Sequence, residues 1–162
     1  MRRRAAVLLL AAGCGAPAPR AADSVPPAAP EPRTVTADSL RLTLHLPAAA
    51  APGAPVPITL RVENATDRSL DLYLRGRTIA FDILVTRAAG DTVWRRLAGE
   101  VIPAIVQVKT LAPGERLELR ATWDQRQTGG RPAGAGDYLV QGALLTEAPE
   151  PLTTAAVELR IG

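Results

Sequence analysis

From Ser39 onward, apolar residues fall on every second position, and this period commits the chain to extended structure. Leu40, Leu42, Leu44 and Leu46 alternate with Arg41, Thr43 and His45. Successive strand side chains point to opposite faces, so the leucines make a buried face and His45 points to solvent. The same alternation runs through Ile58, Leu60 and Val62, through Leu70, Leu72 and Leu74, through Phe81, Ile83 and Val85, and through Leu117, Leu119, Ala121 and Trp123. Further strands are expected over Thr92 to Arg96, Tyr138 to Leu145, and Val157 to Ile161. Turn signals separate them: the loop Pro47 to Pro55, Asn64-Ala65-Thr66-Asp67, Gly90-Asp91, Pro113-Gly114 at the second and third positions of a type II turn, and the Gly-rich stretch Asp124 to Ala135. No stretch of 39–162 has helical spacing. Seven or eight short strands at regular intervals predict an all-β fold, an antiparallel β-sandwich in one domain.

The chain before Ser39 has a different character. Arg2, Arg3 and Arg4 precede a short apolar run, Ala5 to Ala12, which ends at Gly13-Cys14. A basic start, a brief apolar core and small residues at a cleavage point describe a secretory signal over 1–13. The run is far shorter than the roughly 20 residues of a membrane-spanning helix. Leu10-Ala11-Ala12-Gly13-Cys14 resembles the bacterial lipobox, with Ala11 where that motif usually has leucine. The resemblance implies cleavage before Cys14 and a palmitate-type lipid on its sulfur. Residues 14–38 then read as a lipidated cysteine and a tether, with Pro17, Pro19, Pro26, Pro27, Pro30 and Pro32 among alanines. Such a stretch cannot bury enough apolar surface to offset its ordering entropy. The expected location is the bacterial cell envelope, on the extracytoplasmic side, at the periplasmic face or the outer membrane.

Charge and composition exclude several functions. The chain has 19 basic and 16 acidic residues. Three of the basic ones are Arg2, Arg3 and Arg4, so beyond the signal the two signs balance at 16 each. With aromatics at 3%, neither a phosphate-binding patch nor a base-stacking surface is present, and nucleic acid is not an expected partner. Cys14 is the single cysteine, so no internal disulfide can form. His45 is the single histidine. A catalytic triad, a blue-copper site and a zinc site each need more histidine or cysteine than the chain holds. Asp82, Asp91, Asp124 and Asp137 are the acids a calcium site or a glycosidase pair would use, and they read instead as turn-capping residues near strand ends. No enzymatic activity, metal or cofactor is expected beyond the covalent lipid. Asn64-Ala65-Thr66 matches a glycosylation sequon, a reading that bacterial export disfavours.

Two segments stand out as candidate contact surfaces. Asp124 to Ala135 is the longest polar loop and carries Arg126 and Arg131, either of which suits the acidic specificity pocket of a trypsin-like proteinase. Its glycines predict a loosely held connection, and tight inhibitors need rigid loops. Val101 to Lys109 is apolar on both faces and contains Pro103, which cannot donate to a ladder. It is expected to be a buried edge strand or a plug at the sandwich end. As a binding segment, its Val101, Ile102 and Ile105 would suit an extended strand pairing with a partner edge.

An ordered set of residues in the middle of the chain resembles the BsuPI family, the bacterial intracellular proteinase inhibitors. The set is Phe81-Asp82, Gly90, Val93-Trp94-Arg95, Leu111-Ala112-Pro113-Gly114-Glu115, Trp123-Asp124 and Gly136-Asp137-Tyr138, within about Val56 to Leu145. The resemblance implies an immunoglobulin-like sandwich and, by family name, proteinase inhibition. The matching residues read as structure. Trp94 and Trp123 are large enough to fill the space between two sheets, Pro113 and Gly114 fix a turn, and Tyr138 resembles a tyrosine corner. The expected protein is thus a monomeric, non-catalytic, lipid-anchored interaction module of the envelope. Its expected partners are the membrane, through the lipid, and a proteinase or another envelope protein. The alternative is a scaffold lipoprotein without inhibitory activity.

Overall fold

The structure is a computed structural model that describes residues 39–162. The signal at 1–13, Cys14 and the tether to residue 38 lie outside the described residues. Within them the chain forms eleven strands: β1 (Leu40–His45), β2 (Ala49–Ala50), β3 (Val56–Asn64), β4 (Leu70–Arg75), β5 (Phe81–Arg87), β6 (Thr92–Arg95), β7 (Val106–Leu111), β8 (Arg116–Trp123), β9 (Gly136–Leu144), β10 (Leu152–Thr153) and β11 (Val157–Ile161). One sheet has the order β1-β3-β8 and the other β2-β11-β9-β5-β6, with β10 also on β9. β4 and β7 form a separate two-stranded ribbon. This is an immunoglobulin-like β-sandwich.

The alternation read from the sequence sets the faces. Val56, Ile58, Leu60 and Val62 of β3 are buried, as are Ile83 and Val85 of β5 and Tyr138, Val140 and Leu144 of β9. Register places Leu60 between Leu44 and Leu119 across the first sheet. The sheets pack closely at Gly142, where an added Cβ would stand 3.0 Å from Cδ1 of both Leu44 and Leu60. Among the described residues the buried core runs from Leu40 to Ile161.

The expected seven or eight antiparallel strands were too few, and one pairing is parallel. β2 lies inside the loop expected over Pro47 to Pro55 and pairs parallel with β11, Ala49 opposite Arg160. β10 pairs Leu152 with Leu144. Strands of two residues carry no readable period. The third addition, β7, begins in the ambiguous apolar segment and runs two residues past it. It pairs with β4, Tyr73 opposite Val108, and is not the buried edge that was expected. Val106 and Val108 face solvent at 46% and 58% exposure, while Gln107 donates its Nε2–H to Gly76 O on the other face. The strand turns its apolar side outward because its inner neighbours, Leu72 and Leu74, already lie fully buried.

Two turns are fixed by side chains or glycine. Gly114 has φ 70°, and Glu115 N donates to Ala112 O at 2.9 Å, the geometry of a type II turn. Asn64 is buried. Its Nδ2 faces the carbonyls of Arg68, Leu111 and Ala112 at 2.7, 3.0 and 3.1 Å, and its Oδ1 accepts from Thr66. The amide nitrogen that glycosylation would use is therefore committed to the fold.

Candidate functional site

At one end of the sandwich, the segment after β8 forms a small hairpin. Arg126 and Pro132 form a β-bridge, Ala133 N donates to Gln125 O at 2.8 Å, and Gln127 N donates to Arg131 O at 2.7 Å. Gly130 closes the tip with φ 83° and a bond to Gln127 O. Three side chains of the scaffold, and one of the hairpin's own, hold it in place. Trp123 is fully buried and donates its indole N–H to Arg126 O at 2.8 Å. The Tyr138 hydroxyl, also buried, lies 2.8 Å from Ala133 O and 2.7 Å from Gly134 O. Arg87 donates to Ala133 O at 2.7 Å, with its guanidinium 5.5 Å from the Tyr138 ring centre. Gln125, buried in the left-handed region at φ 58°, donates to Ala51 O and Ala54 O and accepts from Gly53 N.

These bonds correct the expectation of a loosely held loop. Glycine content loosens a loop only where its backbone groups lack partners, and here most of them have one. A non-glycine residue at positive φ costs on the order of 1–3 kcal/mol and persists where the surroundings over-determine it. The three amide bonds of Gln125 do so here. Trp94 is half-buried and stacks on Trp123, centroids 6.4 Å apart at 28°. Trp123 in turn meets the edge of Tyr138 at 5.4 Å. Three of the five residues singled out from the family-like pattern as structural thus form one aromatic cluster under the hairpin. Pro113 and Gly114 sit in the turn between β7 and β8, at the far end.

The two arginines of the hairpin differ in role. Arg126 donates its Nη1–H to Gly130 O at 2.9 Å, and its Nε lies 3.7 Å from Asp124 Oδ2, so it clamps the hairpin from within. The Arg131 guanidinium is exposed and has no partner among the described residues. Sequence position alone made them equivalent. Gln125 and Arg87, which the sequence reading passed over, do as much to hold the hairpin as the aromatics do. The signal that could have found Gln125 is an amide two residues after the tryptophan that ends β8.

The other end of the sandwich carries Val101, Ile102 and Ile105. Arg95 to Glu100 is well tied: Asp82, buried on β5, pairs with Arg95 and accepts from Leu97 N, while Arg96 lies over the Phe81 ring at 4.0 Å. After Glu100 the bonding stops. Among the described residues, Val101 to Ala104 make no hydrogen bond until Ile105 O accepts from Gly76 N at 2.8 Å. Val101 is 89% exposed and Ile105 41%. Ile102 and Pro103 border a cleft of about 340 Å³ that also takes in Arg77, Ile79, Arg96 and Glu100.

His45 is exposed on β1. Among the described residues no group of three or more histidines, cysteines or acids stands close enough to hold a metal ion. The perturbed acids are surface groups. Glu115 accepts from Ala112 N at 2.8 Å, and this bond, helped by Lys109, holds its carboxyl below the ordinary range. Hydrogen bonds from Arg120 and Arg61 lower Glu118 in the same way. Both serve turn and cross-strand pairing.

No curated protein matches the chain. Among solved structures, the C-terminal domain of wzt is similar at 15% identity with a TM-score of 0.49, covering 76% of this chain and 74% of that one. A CARDB domain from Pyrococcus furiosus shows 12% identity and a TM-score of 0.41, over 75% of this chain and 91% of that one. A β-glucosidase from Listeria innocua shows 11% identity and a TM-score of 0.43, and the chain spans only 16% of its length. The family comparison is of another kind, because it matches residues 42–149, from β1 through β9, to a family described as intracellular proteinase inhibitor. The chain belongs to the BsuPI family.

Proposed function

We propose that this protein is a lipid-anchored, non-catalytic inhibitor of an extracytoplasmic proteinase, and that the hairpin Gln125 to Ala133 makes the contact. The observation that carries this reading is the set of bonds from Trp123, Arg87 and Tyr138 to the hairpin backbone, with the Gln125 amide tying the base of the hairpin to Ala51 and Ala54. A loop already fixed before binding loses little entropy on binding. Arg131 presents an unpaired cation there, so the preferred target is a proteinase with an acidic specificity pocket. The family description says intracellular, whereas the basic, apolar and Gly-Cys start of this chain supports export and lipidation at Cys14.

The test is a titration of residues 39–162 against trypsin-like and subtilisin-like proteinases, following residual activity and the mass of the domain. Stoichiometric loss of activity with the domain intact is expected for the trypsin-like class. Arg131→Ala should abolish it without lowering thermal stability, and Arg126→Ala should weaken it together with hairpin order. Full proteolytic activity throughout would reject inhibition. In cells, Cys14→Ser should move the chain out of the membrane fraction. A second reading, an envelope interaction module without inhibition, is favoured by the exposed run Val101, Ile105, Val106 and Val108. That reading predicts unchanged proteinase kinetics in the same titration.

A further inference from the structure

The ribbon β4–β7 ends in an unpaired edge whose composition differs from that of the edge strands β1, β6 and β8. β7 pairs only with β4. The bond from Gly76 N to Ile105 O sets the phase of the antiparallel ladder. Residues in such a ladder alternate between exchanging bonds with the partner strand and turning N–H and C=O away from it. Ile105, Gln107, Lys109 and Leu111 therefore bond toward β4, and Val106, Val108 and Thr110 turn their backbone groups outward. The other side of β4 confirms this phase, because Arg75 N and Tyr73 O bond there to Leu145 O and Glu147 N.

Edges are normally blunted by charge. β8 exposes Arg116, Glu118 and Arg120 on its outer face, β1 exposes Arg41 and His45, and β6 exposes Arg95. The exposed face of β7 holds Val106, Val108 and Thr110, with no charge among them. The segment is also symmetric about Val108. Pro103 and Pro113, which lack N–H groups, stand five residues before and after it. Thr110 mirrors Val106, and Gln107 mirrors Lys109.

We propose that two copies of the sandwich pair edge to edge through β7, antiparallel and centred on Val108, making a continuous sheet β4–β7–β7–β4. In this register Val106 of one copy faces Thr110 of the other, Val108 faces its own counterpart, and Lys109 faces Gln107. No like charges meet, and every residue that turns its backbone outward finds another that does the same. A twofold contact of this kind is closed, so it ends at the dimer. A single pair of six-residue strands is a small contact beside the roughly 1,200–2,000 Å² of a standard stable interface, so the dimer is expected to dissociate on dilution. Both sandwich ends stay open, and the proposal does not depend on proteinase inhibition. It replaces the monomer expected from the sequence.

Sedimentation equilibrium of residues 39–162 over a wide concentration range tests it. The expected result is a monomer–dimer equilibrium. Val108→Glu sets two carboxylates opposite each other and should weaken the dimer about a hundredfold. A matched pair of double variants then tests the register. Val106→Glu with Thr110→Lys places opposite charges across the twofold and should keep the dimer. Val106→Glu with Thr110→Glu should lose it. All these side chains are exposed, and unchanged thermal melting checks that the variants still fold. A monomer at every concentration overturns the proposal, as does a dimer that survives Val108→Glu or that treats the two double variants alike.

Discussion

The two ends of this sandwich reverse what their sequences lead one to expect. Gln125 to Ala133 is polar and rich in glycine, yet its backbone is bonded at nearly every residue. Val101 to Ala104 is apolar, the kind of segment that ordinarily packs inside, yet only Ile102 is half-buried, the other three residues are exposed, and none makes a hydrogen bond among the described residues. Whether a loop is stiff is decided by the partners its backbone groups find, not by its own composition. Whether an apolar segment is buried depends on whether an inner face remains for it. The core under β7 is already filled by Leu72, Leu74 and Leu111, so valines on that strand have nowhere to go but out.

The largest expected effect falls on the aromatic cluster that holds the first end. Trp123→Ala removes a fully buried side chain and the donor to Arg126 O, and should cost about 3–5 kcal/mol of stability. Denaturant unfolding measures it, and a cost under about 1 kcal/mol would mean that the hairpin is held by other means. Tyr138→Phe is a narrower cut. It keeps the ring and deletes the hydroxyl that Ala133 O and Gly134 O share, for about 1–3 kcal/mol. Hydrogen exchange should then quicken at the amides of Gln127, Gly130 and Ala133, and stay unchanged in β7. Equal quickening at both sites would break the distinction between the two ends.

The sandwich itself was legible because its long strands alternate cleanly. Leu60, Ile83 and Val85 could be placed inside from period alone. β2 and β10 were not legible, since two residues carry no period and their pairing is set by where β11 and β9 already lie. The site was read less well than the fold. Arg126 and Arg131 were visible as candidates, but their separation into a clamp and an unpaired cation depends on the fold of the hairpin around Gly130. Gln125 was invisible, because its role comes from the left-handed backbone that turns its amide toward Ala51 and Ala54, more than seventy residues earlier. β7 showed that an apolar run has an ambiguous destination: composition says only that it can be buried, and the neighbouring strands decide.

The second end should tolerate change that the first does not. Val101→Ser replaces a side chain that is 89% exposed, and should shift stability by no more than about 0.5 kcal/mol. Limited proteolysis with a nonspecific proteinase should cut first between Val101 and Ala104 and spare Gln125 to Ala133. First cleavage within the hairpin would show that its hydrogen bonds do not protect it in solution.

Acid gives the smallest and most local effect. Glu115 accepts from Ala112 N, and that bond lowers its carboxyl below the ordinary range. A lowered folded-state value means that the carboxylate adds stability above the unfolded value, and that the gain is lost as pH falls through the folded one. The turn between β7 and β8 should therefore loosen on acidification, at a pH below that of an ordinary glutamate. The scaffold ties of the hairpin come from Trp123, Gln125, Arg87 and Tyr138, and none of these side chains is a carboxylate. The amide signal of Ala112 followed by NMR should move along an acid titration curve, and Glu115→Gln should remove that movement. Ala133 should not follow it. If Ala133 and Ala112 moved together, the two ends would be coupled through the sandwich, and the hairpin could no longer be treated as a contact loop that the rest of the fold merely supports.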